Sequence, residues 1–180
     1  MLVEIQTNLP QFAAQVGEAG LAQLVTLASA VHLAPGDRLL RSGQPTDSLY
    51  LVVAGTLAAQ VTHGAQAVKV GAIGPGDWIG EVSVLSGLMT ASADVVADGD
   101  VTLLRLRHQA FFALTETFNP LADTLVRMLV VTLAARVRGY AARPIPVVPL
   151  APPDAGAPAP VIQFGWLAKR LGLRSTKGAQ

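Results

Sequence analysis

The sequence predicts an α+β domain, mainly β, in which short N-terminal helices precede an antiparallel β-barrel or jelly roll and a long helix follows it. Three observations predict this. Between residues 33 and 107, short apolar runs alternate with Gly/Pro/Asp turns every eight to twelve residues or so, the rhythm of small all-β folds. On both sides of that region the apolar residues return at helical intervals. Half of the 180 residues are apolar and only 14% are charged, a composition that collapses around a core.

The elements follow in chain order. Residues 9–31 carry Phe12, Val16, Leu21, Leu24, Leu27 and Val31 at roughly helical spacing, entered at Leu9-Pro10 and divided into two short helices by Gly17 and Gly20. Pro35-Gly36-Asp37 is a turn, 38–41 a short strand and 42–47 a second turn. Strands are predicted at 49–53, 56–62, 67–70, 93–97 and 101–107, with a hairpin tip at His63-Gly64. A short helix at 109–117 leads to Asn119-Pro120, an N-cap followed by proline at the first helical position. The helix 119–139 that starts there places Leu121, Leu125, Met128 and Thr132 on one side, with Val126, Val130, Leu133 and Val137 on an adjoining one. Gly139 and Pro144 are expected to end it. An apolar arc that wide predicts two contacts, one to the barrel and one to another helix, with a symmetry mate as the candidate homodimer partner.

Composition changes at Arg143. Seven of the twelve prolines fall in 144–160, so residues 141–160 read as an extended linker between the domain 1–140 and a tail, 161–180. The tail sets Phe164, Trp166, Leu167, Leu171 and Leu173 beside Lys169, Arg170, Arg174 and Lys177, the makings of a docking peptide for a protein partner or of a membrane-surface contact.

Charge and composition narrow the function. Residues 1–140 hold 8 basic and 11 acidic side chains, net −3, and residues 141–180 hold 5 and 1, net +4. A net-acidic main body disfavours nucleic acid as its partner, and the proline-rich remainder is not expected to supply a DNA-binding helix-turn-helix. Without cysteine there is no thiol chemistry and no Cys-based zinc site. His32, His63 and His108 lack the spacing of a metal set. Ser83, Ser86 and Ser92 lack a His/Asp partner pattern, so no enzyme is expected. The start Met1-Leu2-Val3-Glu4 is unlike a signal peptide and no uncharged apolar run is long enough to span a bilayer, which places the chain in the cytoplasm by expectation.

The stretch from Gly76 to Ser92 carries the functional signal. After Pro75-Gly76-Asp77 come Trp78-Ile79, then Gly80-Glu81, one helical turn to Leu85, Gly87, and the small residues Thr90-Ala91-Ser92. Gly80 removes a Cβ where the backbone turns sharply or approaches another segment. Trp78 and Tyr50 read as core or pocket-wall residues.

Taken together with Pro35-Gly36-Asp37, Arg41-Ser42-Gly43, Leu49-Tyr50-Leu51-Val52 and Gly55, this order of motifs resembles the cyclic nucleotide-binding domain family over roughly residues 8–140. That family includes the catabolite activator protein and the regulatory subunits of cAMP-dependent kinase. The resemblance implies that Gly76-Asp77 to Gly87 is the phosphate-binding cassette and that Glu81 accepts a hydrogen bond from a ribose hydroxyl. It also implies a ligand site at Gly80, Glu81, Val82, Ser83, Thr90, Ala91 and Ser92, with cAMP or cGMP as the ligand and no required cofactor. Nucleotide-binding members carry an arginine where this chain has Thr90. A charge-assisted bond contributes roughly 1.5–3 kcal/mol, so its loss weakens binding about tenfold to over a hundredfold. Between Lys69 and Arg105 there is no basic residue, and Glu81 and Asp94 make the expected pocket acidic. Two readings stay open. One is a regulatory ligand-sensing module whose ligand moves the helix 119–139; the other is a degenerate domain serving as a scaffold, docking or oligomerisation module.

Overall fold

In the computed structural model, which describes residues 1–63 and 66–141, strand β3 (Ser48–Ala54) runs through the middle of the molecule. Its sequence, SLYLVVA, has no polar alternation because both of its faces are covered. Leu49, Leu51 and Val53 point to the helices, and Tyr50 and Val52 to the barrel interior. A strand buried on two sides reads as a continuous apolar run.

Together with seven further strands among the described residues, it forms two four-stranded antiparallel sheets. The remaining strands are β1 (Ser29–Leu33), β2 (Arg38–Leu40), β4 (Leu57–His63), β5 (Gln66–Ile73), β6 (Trp78–Ile79), β7 (Asp94–Ala97) and β8 (Val101–Arg107). One sheet runs β1-β8-β3-β6 and the other β2-β7-β4-β5. Tyr50, Val52, Leu57, Val95, Ala97 and Leu103 fill the space between them. This is the jelly-roll arrangement of a mainly β, α+β domain.

The helices cover the outer face of the first sheet. They are α1 (Leu2–Asn8), α2 (Pro10–Leu27), α3 (Glu81–Ser86), α4 (His108–Glu116) and α5 (Pro120–Ala141). Ile5, Phe12, Leu21, Leu24, Phe111, Leu121, Leu125 and Leu129 form a second apolar cluster against Leu49, Leu51, Leu104 and Leu106. Trp78 belongs to it too, 2% exposed and 6.2 Å from the Phe12 ring, a wall residue as expected. The Asn119 cap is in place: the Leu121 N–H donates to Asn119 Oδ1 at 2.9 Å.

Several boundaries differ from the sequence reading. Gly17 breaks α2 with a φ of +74°, whereas Gly20 stays helical. An extra helix, α1, precedes the expected start and buries Ile5. Residues 29–33 leave the helix for β1, because their pairing with β8 (Val31 opposite Leu103) outweighs a helical spacing that Leu27 and Val31 match by coincidence. Trp78–Ile79 forms a strand against Leu51 and Tyr50, a run too short for a pattern to mark. Gly139 does not stop α5, which continues to Ala141. Gly64 at the β4–β5 tip, the expected linker 141–160 apart from Ala141, and the expected tail 161–180 lie outside the described residues.

Candidate functional site

The turn before the cassette is built by its own aspartate. Asp77 Oδ2 accepts the Gly74 N–H at 2.9 Å, and the Asp77 N–H donates to the Gly74 carbonyl, the local bonding that suits Asp to turns. The chain then pairs briefly with β3 and reaches Gly80 at φ +90°. A Cβ here would stand 2.6 Å from the Ser48 carbonyl oxygen. Glycine is thus required twice over, by its dihedral angle and by the close approach of β3.

Glu81 opens α3 and is 2% exposed. A carboxylate so buried requires a partner, and α5 supplies it. The Arg136 guanidinium donates from Nη1 to Glu81 Oε1 and from Nη2 to the Trp78 carbonyl, the latter at 2.6 Å. One arginine therefore ties α5 to the first residue of α3 and to the strand before it.

Gly80, Glu81, Val82, Ser83, Ala91 and Ser92 line one cavity of about 140 Å³, and Leu133, Arg136 and Val137 of α5 close it. Six of the seven residues expected at the site are brought together in this way. Thr90 is not on the cavity lining; its carbonyl accepts the Ser83 hydroxyl at 2.6 Å. The loop around it is zipped to residues 43–46. The Gly43 and Thr46 N–H groups donate to the Ala91 and Met89 carbonyls, and the Ala91 N–H donates to Gln44.

The electrostatics differ from the acidic pocket expected. Asp94 accepts the Ser42 N–H at 3.2 Å and is not on the lining. Glu81 faces a cation that arrives from far along the chain. Sequence reasoning missed Arg136, although a signal was present: it falls seven residues after Leu129 and three after Leu133, in register with the buried face of its helix. A charge in an apolar stripe points to a partner inside.

Two larger cavities bring together none of the expected site residues. A groove of about 780 Å³ lies between α2 and α5, and one of about 600 Å³ lies between β2, β3 and α4. His108 lines the second. It is buried, with Nδ1 3.1 Å from the Met89 sulfur and Nε2 without a hydrogen-bond partner among the described residues. Burial pushes the His108 pKa below the ordinary value, opposed by the nearby Asp47 charge. Asp47 itself is held low by the Ser48 hydroxyl, then by Arg105 and Arg107. Among the described residues no group of three His, Cys, Asp or Glu could hold a metal ion. No described helix is long and apolar enough to cross a membrane.

Residues 30–118, from β1 to just past α4, match the cyclic nucleotide-binding domain family model, and the domain is a member of that family. The fold agrees. The N-terminal domain of a transcriptional regulator from Streptomyces coelicolor A3(2) superposes with a TM-score of 0.56 at 29% identity, over 72% of this chain and 88% of that one. The catabolite activator protein of Thermus thermophilus gives 0.61 at 27% identity, over 72% and 59%. Among curated sequences, glutaminase 2 of Bradyrhizobium diazoefficiens is 31% identical over 117 residues, 65% of this chain. This chain spans only 18% of that relative's length, so the likeness is local.

Proposed function

We propose that the domain is a non-enzymatic regulatory sensor whose cassette takes a cyclic nucleotide, cAMP or cGMP, and signals through the position of α5. The observation that carries this reading is the Arg136–Glu81 ion pair. In the family the residue matching Glu81 faces the ligand ribose, and here the same carboxylate is bonded to α5. Anything that engages Glu81 therefore acts directly on the helix. The cavity of about 140 Å³ is smaller than the roughly 300–1,000 Å³ usual for ligand pockets. Admitting a nucleotide requires the C-terminal half of α5 to shift outward, which is the proposed output.

Calorimetric titration of cAMP and cGMP into the full chain tests this, with amide hydrogen exchange on α5 as the second readout. Saturable micromolar binding together with changed protection near Arg136 is the expected result. No heat at millimolar nucleotide would retire the reading.

A second reading is favoured by Thr90 in place of the cassette arginine. In it the domain has lost nucleotide binding and works as a scaffold. The exposed Val130, Val131 and Val137 of α5 support a homodimer contact there, and the tail 161–180 is a proposed site for a protein partner. The scaffold predicts activity that follows the helix or the tail and ignores nucleotide.

A further inference from the structure

Beyond the cassette residues, we infer that Arg136 is the anion-binding cation of this pocket, carried on α5 instead of on the cassette. The inference rests on the sensing reading for the identity of the ligand, but not for the role of the arginine.

Three observations support it. First, Glu81 and Arg136 are the only charged residues among those described on the lining. The cassette helix is a single six-residue element, too short for its terminus to hold an anion unaided. Full positive charge in this cavity comes from Arg136. Second, its side chain remains 28% exposed while Glu81 is 3% exposed. The arginine side chain thus reaches solvent where the carboxylate does not. Third, a guanidinium carries five N–H donors, and two are taken, by Glu81 Oε1 and the Trp78 carbonyl. The others are available to an oxyanion in the planar geometry that arginine presents to phosphate.

The ligand class follows: a phosphate monoester or diester anion with a hydroxyl close enough to engage the Glu81 Oε2 that the ion pair leaves over. A cyclic nucleotide satisfies both requirements. Because the cation rides on α5, anion binding and helix position become one event. A cassette arginine cannot couple them so directly.

The test compares the full chain with Arg136→Gln, Arg136→Lys and Glu81→Gln/Arg136→Gln. cAMP is titrated by calorimetry, and inorganic phosphate by the arginine Nε–H resonances in NMR. The double variant matters because Arg136→Gln alone strands a buried carboxylate, and removing both charges avoids that penalty. The expected result is a loss of cAMP affinity of about tenfold to a hundredfold in Arg136→Gln. An equal or greater loss is expected in the double variant, with Arg136→Lys in between. Equal or tighter cAMP binding by Arg136→Gln overturns the inference and makes Arg136 a plug, leaving the sensor reading intact. If the natural chain ignores cAMP and cGMP, the sensor reading falls and phosphate decides the rest. A saturable shift of the Arg136 Nε–H keeps the anion site; no shift removes it as well.

Discussion

The two halves of α5 are held in different ways. Over its first ten residues, Leu121, Ala122, Leu125 and Leu129 are at most 3% exposed and pack into the helical layer over β3 and β8. Beyond them, Val130, Val131 and Val137 are 45%, 60% and 59% exposed, and the polar tether is Arg136 on Glu81 and Trp78. Apolar packing is strong and indifferent to small solutes. A partly exposed ion pair is weaker, and another charge or hydroxyl can replace either partner. One half is an anchor and the other an exchangeable contact, the division that the proposed signalling through α5 requires.

The largest effect should come from breaking the anchor. Leu125→Ala removes a fully buried side chain and is expected to cost about 2–5 kcal/mol, read as a lower denaturant midpoint for the whole domain. Gly80→Ala follows, at roughly 2 kcal/mol or more, because alanine resists φ +90° and its Cβ meets the Ser48 carbonyl. A melting temperature within error of the natural chain in that variant would mean that the cassette turn relaxes more easily than its geometry implies.

Cutting the tether should be milder and local. Arg136→Gln is expected to cost about 1–3 kcal/mol, below the 3–5 kcal/mol of a fully enclosed pair, because the arginine keeps 28% exposure. Hydrogen exchange should speed up from about Leu133 onward and leave 121–129 protected. Uniform loss along α5 would erase the distinction between its halves. Thr90→Arg sharpens it from the other side. A cation on the cassette is expected to raise cAMP affinity about tenfold or more and to make binding less dependent on Arg136. Unchanged affinity in that variant would show that position 90 does not face the ligand.

How much of this was legible in the sequence depended on the range of the interaction. The turns at Pro35-Gly36-Asp37 and Pro75-Gly76-Asp77, the Asn119 cap and strand β8 are set by neighbouring residues, and all appear where their sequences place them. The resemblance carried the fold. The β1 boundary and β6 depend on ladders to distant strands, which periodicity does not encode. Arg136 and Glu81 are 55 positions apart; a charge balance taken over the cassette alone made the pocket acidic, and only the return of α5 balances it.

With its pKa lowered in the fold, His108 binds fewer protons than it would when unfolded. Its contribution to stability is therefore present above about pH 6.5 and lost as pH falls from there towards the folded value. His108→Leu should flatten the melting temperature between pH 7 and 5, roughly the window set by that residue. An unchanged slope would assign the acid sensitivity to other groups.

The smallest expected effect tests whether the weakly held half has a partner of its own. Val130 and Val137 stand seven residues apart, on one face of the helix. Exposed valines contribute little to a monomer, so Val130→Ser/Val137→Ser should change its stability by no more than about 0.5 kcal/mol. A dimer built on that face behaves differently, because association makes the melting temperature rise with protein concentration. A concentration dependence in the natural chain that the double serine variant abolishes would identify the strip as a seam between two copies. The tether would then hold a helix that also belongs to a partner, and ligand at Glu81 would act on assembly. If both proteins melt at the same temperature across a hundredfold range of concentration, the valines face solvent and the tether controls α5 alone.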